Sequence, residues 1–61
     1  MFIWWPGKAE DAQARGDWEE ARRCWYYAAE AERDGDVRSR YNKNEDSCAE
    51  HARLVRVMQD R

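Results

Sequence analysis

The sequence predicts an all-α fold: a short helical hairpin, then a longer third helix, with the chain dimeric. Three observations predict it. Trp5, Ala9 and Ala12 fall on one helical face, and Trp18, Ala21, Trp25 and Ala28 on another, with Gly16-Asp17 between the two sets. Farther on, Val37, Tyr41, Asn44, Cys48, His51, Val55 and Met58 follow one another at alternating steps of four and three, which is a heptad seam. Finally, 61 residues bury too little surface for a comfortable monomer. Chains this small lean on a disulfide, a metal or a second subunit.

Each element has a local cause. Residues 1–7 read as an apolar lead, Met1-Phe2-Ile3-Trp4-Trp5, closed by Pro6-Gly7. Proline is tolerated in a first helical turn, so helix one is expected over 8–15. Gly16 suits the residue after a helix end, where positive φ is needed. Asp17 is a good N-cap for helix two, with Glu20 in the capping-box position. Glu19 and Glu20 favour the positive end of the helix dipole. Helix two is expected over 18–34, its apolar stripe widened by Cys24 and Ala31, with Glu20, Arg23, Tyr27 and Glu30 opposite. Gly35 is expected to end it and Asp36 to cap the next helix. Helix three is expected over 37–59, with Asn42-Lys43-Asn44 as the place for a kink or a break. The whole is one small domain, with no linker, low-complexity tract or second copy of the hairpin pattern.

Composition narrows the function classes. Charged residues make up 39% of the chain, yet the net charge is −2. Both signs are interspersed, as on solvated helix faces. Residues 1–36 hold five basic side chains against nine acidic ones, and residues 37–61 six against four. Two oppositely biased segments of this kind can pair within a dimer. The acidic balance argues against a dedicated nucleic-acid binder, which shows a basic excess. Arg38, Arg40, Lys43, Arg53 and Arg56 scatter around helix three among Glu45, Asp46 and Glu50 rather than forming a stripe. The apolar start is too short to span a bilayer, which takes about 20 residues, and lacks the pattern of a signal peptide. The cytoplasm is therefore expected, and with it reduced thiols.

Catalytic, cofactor and metal sites are not expected. One histidine and two distant cysteines supply no zinc ligand set. Cys48 and His51 stand one turn apart, but a catalytic thiol needs an orienting third group and a pocket. Cys24 and Cys48 read as small buried hydrophobes. What remains is packing surface. Two adjacent tryptophans on a short lead cannot both face one core, and tryptophan dominates interface hot spots. The candidate protein-binding residues are therefore Trp4 and Trp5, with Tyr41, Cys48, His51 and Val55 along the seam.

The segment from Trp5 to Ala28 resembles a single tetratricopeptide-type repeat, with Ala12 smaller than the usual aromatic. Repeat arrays need about three copies for a continuous core, so length excludes a superhelix. Taken as a whole, the chain resembles the ANR family of small bacterial negative regulators of AraC-type transcription activators. The resemblance rests on Gly16-Asp17-Trp18, Ala21, Trp25 and Ala28, followed by a tract of mixed charge containing Cys48, with Tyr41 and Lys43 ahead of it. It implies a short, helical, non-enzymatic protein that binds an AraC-type activator and blocks its dimerisation or DNA engagement. Two other classes stay open on the residues alone. One is a small DNA-binding or nucleoid-type protein. The other is a phage- or plasmid-encoded inhibitor of another host protein.

Overall fold

A computed structural model describes residues 3–59; Met1, Phe2, Asp60 and Arg61 lie outside it, and with them the first two residues of the expected apolar lead. The described residues form three helices and no strand: α1 (Trp5–Ala14), α2 (Trp18–Ala31) and α3 (Gly35–Gln59). The hairpin followed by a longer third helix is the architecture the spacing predicts.

The first turn of the chain departs from expectation. α1 begins at Trp5 rather than Lys8, because Pro6 sits within its first turn, where a missing N–H costs nothing. Trp5 is thereby helical instead of part of a lead, and the Lys8 N–H reaches the Trp4 carbonyl at 3.1 Å. The other end of α1 is closed as the sequence predicts. Gly16 has φ 76°, the left-handed region that favours glycine. Its N–H donates to the Gln13 carbonyl (2.9 Å), and the Asp17 N–H donates to that of Ala12 (2.8 Å). This crossed pair is a Schellman motif and satisfies two carbonyls of the last turn.

Asp17 then turns to the next helix. Its carboxylate accepts the Glu20 N–H at 3.2 Å, the expected N-cap. Glu20 does not return the bond as in a full capping box; its carboxylate accepts from the Cys24 thiol at 3.6 Å.

The connection to α3 comes earlier than the sequence suggests and is longer, residues 32–34 in place of 35–36. α2 stops at Ala31, not Asp34, and Glu32 is extended with ψ 132°. Its carboxylate accepts the N–H groups of Arg33 and Asp34, both at 3.0 Å. Asp34, not Asp36, caps α3, taking the N–H groups of Asp36 (2.9 Å) and Val37 (3.2 Å). Gly35 therefore opens α3 instead of closing α2, and its φ is not positive. α3 runs 25 residues without interruption through Asn42–Asn44, a length of about 37 Å.

α2 is the central element. It packs against α1 on one side and α3 on the other, while α1 and α3 scarcely touch. The Cα frame measures 42 × 24 × 14 Å, elongated along α3. The core is built of small side chains around one large one. Ala9, Ala12, Ala21, Ala28, Cys24 and Cys48 are buried about Trp25, with Trp5, Trp18 and Tyr41 packed at the edges. The Trp25 indole N–H donates to the Gln13 amide oxygen at 2.8 Å, and its ring lies 5.4 Å from that of Tyr41. The heptad seam on α3 is used for only half its length. Tyr41 and Cys48 meet α2, but beyond them Ala52 takes the buried position that the seam gives to His51. Past that turn, Val55 and Met58 are exposed.

Candidate protein-binding surface

The ends of all three helices that lie near the α2–α3 connection make one corner. There Ile3, Trp4, Trp5 and Pro6 face Ala28, Ala31 and Glu32 of α2 and its end, and Tyr41 of α3, around a notch of about 150 Å³. Its lining is mostly apolar, with Glu32 and Tyr41 as the residues that carry polar side-chain groups. The Trp4 ring lies over Gly7 so closely that a Cβ there would stand 2.7 Å from Trp4 Cδ1. Glycine at position 7 is thus the condition for the seat that Trp4 occupies.

Trp5 is held from behind. Its ring meets that of Tyr27 at 4.9 Å, and Tyr27 meets Tyr26 edge-on at 5.4 Å. Lys8 Nζ stands 5.5 Å from the Trp5 ring centre, a cation–π contact. Tyr26 and Tyr27 are each 46% exposed, so this ladder of rings is half open to solvent.

The six residues singled out from sequence do not form one surface. Trp4, Trp5 and Tyr41 come together at the corner. Cys48 is 1% exposed, inside the core, where a partner cannot touch it while the helices stay packed. His51 and Val55 lie toward the opposite end of the molecule. The His51 ring stacks on Trp18 at 4.3 Å, and its Nδ1 lies 2.9 Å from the Ser47 carbonyl oxygen. Val55 borders a shallow groove with Trp18, Ala52 and Arg56. The exposed residues that the seam did not flag are Leu54 and Val57, each 54% exposed. The signal was present in the run Leu54-Val55-Arg56-Val57-Met58, but a heptad reading follows one stripe and skips its neighbours.

Charge on α3 is engaged locally. Arg56 reaches Glu19 at 3.4 Å and Arg53 reaches Glu50 at 3.7 Å, while Arg22 pairs with the same Glu19 at 3.2 Å. These pairs are exposed and contribute little to stability. Among the described residues no group of three or more His, Cys, Asp or Glu side chains is placed to hold a metal ion. No described helix is long and apolar enough to cross a membrane.

Both thiols are free and buried. Burial pushes the Cys24 thiol above its ordinary pKa, and the hydrogen bond and negative charge of Glu20 add to this, against Lys8 and Arg23. Burial also raises Cys48, with the Trp25 indole N–H pulling the other way. The thiolate is the reactive form, so burial and the raised pKa protect both groups. Labelling with an aromatic disulfide reagent at neutral pH should be slowed at least about a hundredfold relative to the denatured chain, since it requires opening of the core. Prompt reaction of one thiol equivalent in the native protein would show that the core is not closed as described.

No family model, curated protein or solved structure matches the chain.

Proposed function

We propose that this chain is a non-enzymatic, protein-binding regulator that restrains a transcription activator of the AraC type through its aromatic corner. The observation that carries the binding role is the half-open set of rings at Trp4, Trp5, Tyr26 and Tyr27, seated against α2 and backed by Gly7. Tryptophan and tyrosine supply large contact area at low cost in side-chain entropy, which is why they anchor protein interfaces. Rings already packed against one another lose less freedom on binding. The activator as partner rests on the family resemblance of the sequence. Direct DNA binding is disfavoured by net charge and by the carboxylates that engage Arg53 and Arg56. A DNA binder must neutralise several phosphates with unengaged cations.

The test is release of a purified AraC-type activator from its operator by added chain, at about 150 mM salt, where weak electrostatic binding is suppressed. Release is expected with the native sequence. Gly7→Ala should keep or raise helix content, since alanine is the better helix former. It should nevertheless weaken release at least about tenfold by pushing the Trp4 ring out of its seat, the scale of losing one anchor. Failure of the native chain to release the activator removes that partner. A shift of random duplex DNA by the chain alone would overturn the protein-binding reading.

A further inference from the structure

We infer that a second copy of this chain covers the exposed end of α3. Two copies pair about a two-fold axis across the middle of α3, so that Val55 and Met58 of each enter the corner notch of the other. The second copy takes the corner proposed above for the activator, so the two exclude each other there, and the dimer is tested on the chain alone.

The first ground is surface. A compact monomer of 7.4 kDa exposes about 4,200 Å², whereas this chain exposes 4869 Å². The surplus is close to the ~800 Å² that each partner contributes to a standard interface. The radius of gyration, 12.1 Å, likewise exceeds the roughly 10.5 Å of a compact domain of this length. The surplus includes the last turns of α3. Leu54, Val55, Val57 and Met58 are exposed by 54, 38, 54 and 73%. They occupy one half of the helix circumference, with Arg53, Arg56 and Gln59 on the other, and an apolar half of this width is the face of a helix that is covered.

The second ground is register. Asn44, Ser47, His51, Val55 and Met58 lie along one side of α3, next to the side that Cys48 turns to α2, and Tyr41, at the notch, stands at its edge. From Tyr41 to Met58 is about 25 Å along the helix. A two-fold axis perpendicular to α3 and midway between these residues brings each apolar end onto the other copy's notch at once. The contact is then self-complementary and closes at two chains, with no open polymer. Near the axis this side carries Asn44, Ser47 and His51, while Cys48 stays turned to α2, so no carboxylate or guanidinium is pressed against its own copy there.

The third ground is charge. Residues 30–38, beside the notch, hold four carboxylates against two guanidiniums. Residues 53–59 hold two guanidiniums and no carboxylate. The apolar end is therefore basic and the notch acidic at its rim, which favours this antiparallel pairing over a tail-to-tail one.

Sedimentation across about 5–200 µM should show a reversible dimer, as mass action requires. Met58→Glu should weaken it at least about tenfold, with the monomer's circular dichroism unchanged, because Met58 is the most exposed of the four side chains. Native chain enriched in ¹⁵N, mixed with an unenriched copy spin-labelled at Gln59→Cys, reads the geometry without disturbing the apolar residues. The Trp4 indole N–H signal should broaden and the Trp18 signal should not. A chain that stays monomeric to the top of that range overturns the inference. So does a dimer in which the label broadens Trp18 and spares Trp4, since the two apolar ends would then meet each other.

Discussion

Trp25→Ala is expected to unfold the chain at room temperature. Trp25 is 5% exposed and is the one large side chain among the buried alanines and cysteines of the core. It ties the three helices together: its ring meets Tyr41 of α3, and its indole N–H donates to Gln13 of α1. Truncating a buried tryptophan to alanine costs about 3–5 kcal/mol. At 61 residues the total stability is of order 3–9 kcal/mol, so the loss removes most or all of it. The surrounding alanines have no side chain with which to fill the cavity. Far-UV circular dichroism should show the helical signal lost or reduced to a non-cooperative remnant. Trp25→Phe separates volume from hydrogen bonding. It keeps most of the ring, frees the Gln13 amide to water, and should leave a cooperative melt at lower temperature. A Trp25→Ala variant that melts within a few degrees of the native chain would show that the helices are held elsewhere.

The hairpin was legible in the sequence because its determinants are local. Gly16 and Asp17 each do one thing, positive φ and N-capping, and both are set by residue type. The α2–α3 connection departs from the local pattern because two local signals compete there. Gly35 is a good residue to follow a helix, but Asp34 is a good residue to precede one. The second prevails, since Asp34 takes two N–H groups of α3 while Glu32 takes the two before it. α1 starts before Pro6 and not after it, because proline in the first turn lets the helix reach back to Trp5, which gains the Tyr27 ring. Asn42-Lys43-Asn44 gives no break because Tyr41 and Cys48, on either side, both pack toward α2.

The corner was half legible. Two adjacent tryptophans signal a surface role on their own. That Tyr41 joins them, and that Cys48 from the same seam does not, follows from how far α3 runs along α2 before its seam turns to solvent. That length is a tertiary quantity which no local pattern carries.

Ala21→Leu is expected to lower the melting temperature sharply although it adds apolar surface. Ala9, Ala12 and Ala21 are each 0% exposed, on the faces where α1 and α2 meet. Alanine against alanine lets two helix backbones approach closely, and the space between them is already full. Leucine and alanine have similar helix propensity, so the change isolates packing. Extra methylenes forced into a filled core cost about 1–3 kcal/mol, or roughly 5–20 °C for a domain of this size. Ala14→Leu is the control. Ala14 is exposed at the end of α1, and the same substitution there should shift the melt by no more than a few degrees, as surface changes do. The corner should suffer with the core, because Trp5 and Tyr27 approach across the same α1–α2 contact. Should both variants melt alike, close approach of the alanines would not be what holds α1 to α2, and the hairpin would depend on its tryptophan side chains alone.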